Sequence, residues 1–127
     1  MLWSLCYGKE QHVILISGTL DQANAHLENL KFELEQNALL REDFPDVAEP
    51  EDSKPAPERW AASEIISRNS IKVTAMGSGG KRLRGLRYRW NRPTLLILDD
   101  VETPEQARTR EQRQKLVDWL NKTCINA

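Results

Sequence analysis

Two runs of four uninterrupted apolar residues, Val13–Ile16 and Leu95–Leu98, constrain the fold of this chain more than any other feature. A strand with one wet face alternates apolar and polar side chains. An unbroken run that stops abruptly fits a strand covered on both faces. Helices crossing between parallel strands provide that cover, so the two runs predict an α/β fold. The first ends in Ser17-Gly18-Thr19 and the second in Asp99-Asp100. With 127 residues there is room for one domain of this kind. A content of 39% hydrophobic and 29% charged residues suits a globular chain rather than a disordered one, and no apolar run is long enough to span a membrane.

Residues 12–36 read as a strand–helix unit. Thr19-Leu20-Asp21-Gln22 has the form of a capping box, with Asp21 suited to the positive helix start. Ala23, Leu27, Leu30 and Leu34 then share one helical face, and the helix is expected to end near Gln36. Residues 41–62 hold Pro45, Pro50, Pro55 and Pro57 among many acids, which predicts a long acidic surface loop pinned at its ends by Phe44 and Trp60. Residues 64–92 begin with two strands, Ile65–Arg68 and Ile71–Met76, around an Asn69-Ser70 turn, with Ile71, Val73 and Ala75 on one face. Gly77-Ser78-Gly79-Gly80 opens a loop, and a basic segment follows. Residues 94–122 combine the second apolar strand with a helix started by Thr103-Pro104-Glu105-Gln106. Leu116, Val117 and Leu120 are its expected apolar stripe, with Arg108, Arg110, Arg113 and Lys115 facing outward.

The net charge of −1 hides a split. Residues 1–64 carry 13 acids and 5 bases, whereas residues 65–127 carry 6 acids and 13 bases. The basic half suits phosphate and the acidic half keeps the molecule soluble. Cys6 and Cys124 are too far apart in sequence for a metal spacing or a disulfide framework. Met1–Lys9 lacks the basic leader and length of a secretory signal. The expectation is a reducing, cytoplasmic compartment.

Leu95-Leu96-Ile97-Leu98-Asp99-Asp100 is the strongest chemical signal. An apolar strand closed by adjacent carboxylates is the Walker B arrangement of nucleotide hydrolases. The strand fixes the backbone, and one carboxylate then serves Mg²⁺ while the next serves the attacking water. The plainer alternative is a strand that ends in a solvated Asp-Asp turn. In Lys81–Arg92 six of twelve positions are basic, interleaved with Tyr88 and Trp90. As a strand, this segment would place Leu86, Tyr88 and Trp90 on one face, with Arg87 and Arg89 on the other. Gly85 would let the backbone turn and aim Arg84. Such a segment serves the phosphates of DNA or of a nucleotide in a neighbouring subunit, or it is only a solvated edge strand. Gly77–Lys81 fails the G-x-x-x-x-G-K-[ST] pattern, since Ala75 and Arg82 occupy required positions. His12 and His26 are isolated in sequence, and Ser17 and Ser78 lack an acid–His partner pattern.

Together these residues resemble the large subunit of tailed-phage terminases, the ATP-driven motor that packages viral DNA. The similarity runs from Val13-Ile14-Leu15-Ile16-Ser17-Gly18-Thr19 and Gln22-Ala23 through Leu30–Asn37 and Asp43-Phe44-Pro45. It continues in Ala75-Met76-Gly77, Leu83-Arg84-Gly85-Leu86-Arg87 and Arg92–Glu102, and then in Arg113-Gln114-Lys115 and Trp119. The resemblance implies an incomplete RecA-like core of the P-loop NTPase, additional-strand type, with a mostly parallel sheet and flanking helices.

By that resemblance Asp99 helps hold Mg²⁺ through water, as the metal and cofactor-binding residue. Asp100, where the family more often has the longer glutamate, polarises the attacking water, so either the water sits closer or Glu102 contributes. Arg84 is the choice for a finger toward a neighbouring subunit's γ-phosphate, ahead of Arg87 and Arg89, and the basic pattern itself assigns Lys81, Arg82, Arg87, Arg89 and Arg92 to nucleic acid or phosphate. The family binds Mg²⁺ and ATP. Its partners are double-stranded phage DNA, the small terminase subunit, the portal and neighbouring motor subunits in the host cytoplasm. The family's phosphate-binding loop and nuclease domain have no counterpart among these residues. The expectation is a truncated, prophage-remnant or excised piece that does not hydrolyse ATP alone. The alternative is a small nucleic-acid-binding or packaging-assembly protein that uses residues 81–92.

Overall fold

The computed structural model describes residues 1–50, 52, 54–80 and 83–125. A short helix, α1 (Leu2–Cys6), precedes the first apolar run, which forms β1 (His12–Ser17), buried at all six positions. The chain then enters α2 (Leu20–Gln36) through the expected cap. The Thr19 side chain accepts from the Gln22 amide, and the Gln22 side chain reciprocates at the Thr19 amide. Ala23, Leu27, Leu30 and Leu34 are the buried residues of this helix, at the spacing that carries one face.

Residues 41–62 are more structured than their composition predicts. Asn37 closes α2 through the Glu33 carbonyl, and its side chain caps a further helix, α3 (Ala38–Asp43). Val47 and Ala48 are buried, and the Glu49 amide bonds to the Leu34 carbonyl at 2.9 Å. A few apolar residues therefore fold the start of the acidic stretch back onto α2. Phe44 and Trp60 pack on the core as anticipated, and the Trp60 indole donates to Glu35 at 2.7 Å.

Three further strands complete one side of the sheet: β2 (Arg59–Trp60), β3 (Glu64–Ile66) and β4 (Lys72–Gly77). β3 and β4 pair antiparallel around the anticipated turn, with Ile65 opposite Val73, and Ser70 adopts a left-handed φ of 63°. The last strand, β5 (Leu95–Leu98), lies parallel to β1 with Val13 opposite Leu95 and Ile16 opposite Leu98. The order is β2-β3-β4-β1-β5, with β1 parallel to both neighbours. The protein is α/β, but its sheet is mixed rather than mostly parallel: the β2–β3 and β3–β4 pairs are antiparallel. The short turn before β4 leaves no chain for the crossover that a parallel pair needs.

The sheet separates two apolar layers. Val13, Ile71, Val73 and Ala75 pack beneath α2, whereas Ile14, Ile16 and Met76 pack with Leu83, Cys124 and Trp119 on the other side. Because β5 is an edge strand, Leu95, Leu96 and Ile97 are half-buried and Leu98 is exposed, contrary to the expected burial on both faces. The terminal helix is divided in two. Thr103 caps α4 (Pro104–Ala107), and Thr109 starts a second helix, α5 (Arg110–Trp119), by accepting from the Gln112 amide. A π-helical turn over Leu120–Cys124 follows. Leu116 is buried as expected, but Val117 is exposed and Trp119 packs on the core in its place. No helix among the described residues is long and apolar enough to cross a membrane.

Candidate functional site

β1, β4 and β5 all point their carboxyl ends the same way, and in an open α/β sheet that edge is where ligands bind. Three chain segments converge there. The Gly18 amide donates to the Asp100 carbonyl at 2.8 Å, and the Ser78 amide donates to the Ser17 carbonyl at 2.8 Å. The Ser78 hydroxyl bonds the Gly18 carbonyl and also meets the side-chain amide of Gln106 at 3.4 Å. The packing favours glycine. A Cβ on Gly18 would lie 3.0 Å from the Asp100 carbonyl oxygen, and one on Gly77 would lie 3.0 Å from the Leu20 amide nitrogen.

Asp99 and Asp100 stand at this edge, both exposed. The Asp99 amide bonds the Ile16 carbonyl at 2.9 Å, which continues the β5–β1 ladder and sets Asp99 beside Ser17. Its carboxylate meets His26 Nε2 at 3.0 Å. Asp100 leaves the strand through a left-handed φ of 45°, a conformation that costs a residue other than glycine on the order of 1–2 kcal/mol. Ser17 is buried, and its hydroxyl has no hydrogen-bond partner among the described residues. Glu102 is exposed two residues farther on, ahead of the Thr103 cap.

Sequence reasoning does not bring His26 to this site, because no motif links it to Asp99. The signal lies in geometry: α2 starts at the mouth of β1 and packs across the face toward which Asp99 points. The pairing is half-exposed and contributes little to stability.

The arginines are elsewhere. Tyr88 is buried with its ring 6.2 Å from that of His12, the first residue of β1, so it marks the amino end of the strands. Arg89 covers the Tyr88 ring at 5.2 Å, and Arg87 and Arg92 flank the same turn, all exposed. The six residues of β1 span on the order of 17 Å, and they separate these arginines from Asp99 and Asp100. The segment is not the expected strand. Tyr88 and Asn91 form an isolated two-residue turn that buries Tyr88 and leaves Trp90 92% exposed. Arg84 donates to the Lys122 carbonyl at 2.6 Å rather than to either strand-end carboxylate. Gly85 needs no special conformation, and a Cβ there would meet nothing among the described residues. Lys81 and Arg82 lie outside the described residues.

His12 is fully buried. Burial, assisted by the nearby Lys72 charge and opposed by Glu64, depresses its pKa to about 4, so the ring is neutral near pH 7. Its Nε2 lies 3.3 Å from the Thr74 hydroxyl.

Among the described residues, no group of three or more His, Cys, Asp and Glu side chains is placed to hold a metal ion. The mouth offers Asp99 and Asp100, whereas the Ser17 hydroxyl beneath them is enclosed. Mg²⁺ is ordinarily held by one or two carboxylates together with water and substrate phosphates, and the acidic pair fits that half of such a site. It does not amount to a cage that holds a metal without phosphate. No family model, curated protein or solved structure matches the chain.

Proposed function

We propose that the chain is the part of a tailed-phage terminase ATPase domain that carries the strand-borne acids, an incomplete RecA-like core of the P-loop NTPase type. The observation that carries this reading is the position of Asp99-Asp100. They end an apolar strand at the carboxyl edge of the parallel set, next to the Gly18 and Gly77 loops. A second observation agrees. β5 is apolar along its whole length yet sits at the sheet edge, as it would if further strands of the domain covered it.

In this reading Asp99 would hold Mg²⁺ through water, and Asp100, whose carbonyl accepts from the Gly18 amide, would orient the attacking water, with Glu102 contributing. Arg84 is held by the Lys122 carbonyl, and in this reading it would serve as a finger to a neighbouring subunit. Mg²⁺ would supply charge neutralisation on the phosphates when bound with ATP. The cradle of backbone amides and the lysine that hold those phosphates have no counterpart in this sequence, and such groups account for much of the rate in phosphoryl transfer. The partners that follow are duplex phage DNA, the small terminase subunit, the portal and adjacent motor subunits, in the bacterial cytoplasm.

Two measurements test the reading. Purified chain is expected to release no phosphate from Mg²⁺-ATP above blank. Turnover that disappears in Asp99→Ala would overturn the inactivity of the chain. Sequencing the flanking DNA is expected to reveal an upstream segment that encodes G-x-x-x-x-G-K-[ST]. Flanking genes with no such segment and no packaging functions would contradict the terminase assignment.

A further inference from the structure

The turn at the amino end of the strands has features that the nucleotide reading does not use. Tyr88 and Asn91 exchange both backbone hydrogen bonds at 3.0 Å, leaving Arg89 and Trp90 as the two residues of the loop. Arg89 adopts a φ of 53°, a position that glycine ordinarily fills in so short a hairpin. The base is firmly seated: Tyr88 is buried against His12, and the Arg89 guanidinium and the Lys72 ammonium both lie within 6 Å of the Tyr88 ring centroid. On this support Trp90 projects into water, 92% exposed, the most exposed large apolar side chain among the described residues.

An indole held out on a tight turn and flanked by exposed Arg87, Arg89 and Arg92 presents a flat π-face beside cations. Glu58 lies near Tyr88, and Glu64 is engaged by Lys72 and Arg59, so the cations dominate locally. A polyanion with accessible aromatic faces matches this chemistry. Single-stranded nucleic acid has both, whereas a duplex keeps its bases stacked on one another. A bilayer would demand a broader apolar surface than one side chain, and here Tyr88 is buried and Leu86 and Pro93 are half-buried.

We propose that the Arg87–Arg92 turn binds single-stranded nucleic acid, with an unpaired base stacked on Trp90 and neighbouring phosphates on Arg87 and Arg89. This does not rest on the nucleotide reading, because the turn lies at the opposite end of the strands from Asp99.

Fluorescence anisotropy of a labelled single-stranded oligonucleotide, titrated with the intact chain at several salt concentrations, tests it. Trp90→Ala is expected to weaken single-strand binding at least about fivefold while Trp90→Phe retains most of it. Arg87→Ala with Arg89→Ala should lower the log–log salt slope by roughly 0.7 for each phosphate that is no longer neutralised. Phe32→Ala, which removes an exposed aromatic of α2 away from the turn, should leave single-strand binding unchanged. Circular dichroism of each variant controls for folding, which an exposed indole does not support. The proposal is overturned by absence of binding, by a duplex bound as tightly as the single strand with Trp90→Ala silent, or by Trp90→Ala reducing only capture on anionic phosphatidylserine vesicles.

Discussion

At the carboxyl end of β1 and β5 a carboxylate pair, an imidazole and two glycine-dependent loops meet. At the amino end, a strand's length away, a neutral buried histidine supports a turn of arginine and tryptophan. In sequence the two are neighbours, since Arg92 and Asp99 bracket the same four apolar residues. The strand between them acts as a spacer, so closeness along the chain becomes separation across the fold. A single site combining the acids with Arg87, Arg89 and Arg92 is therefore not formed within one chain. The two ends also differ in how they are held. The acidic mouth depends on close backbone approach, and the basic turn depends on a buried aromatic pair.

That difference predicts distinct sensitivities, the largest at the amino end. In the folded chain His12 takes up a proton only near pH 4, whereas an unfolded histidine does so near 6.5. Between those values the unfolded chain binds the extra proton, so stability falls as pH is lowered through this window and is retained above it. The full effect is on the order of 3 kcal/mol. Urea denaturation of the wild type between pH 7 and pH 4 should show this loss, and His12→Gln should flatten it. An unchanged slope in the variant would place the titration at another group.

The effect at the carboxyl mouth is smaller and steric. Gly18→Ala and Gly77→Ala should each destabilise the chain by about 1–3 kcal/mol, because the added methyl meets backbone atoms at 3.0 Å. Gly85→Ala, where a Cβ meets nothing, should stay within about 0.5 kcal/mol. Thermal denaturation of the three variants checks the ranking, and equal losses would mean that the mouth is less tightly packed than its distances indicate.

The strands and the long helix are legible in the sequence because period and capping are local. Val13–Ile16, Leu95–Leu98, Thr19–Gln22 and the buried positions Ala23, Leu27, Leu30 and Leu34 each declare themselves within a few residues. The edge position of β5 depends on which strands pair, a tertiary fact that an apolar run cannot encode. The fate of Lys81–Arg92 is obscured for a similar reason. Its alternation imitates a strand, but burial of Tyr88 against His12 and a left-handed Arg89 fold it into a tight turn. The division of the last helix is readable in principle from a second capping threonine, Thr109. The pairing of His26 with Asp99 requires the packing of α2 on the sheet.

The most direct test of the central claim is line broadening of backbone amides by Mn²⁺-ATP in NMR spectra of the intact chain. The account predicts that broadening concentrates at Gly18, Asp99 and Asp100 and is abolished in Asp99→Ala. Broadening confined to the acidic residues 42–58, or unchanged by that substitution, would contradict a metal-nucleotide role for the strand-end carboxylates.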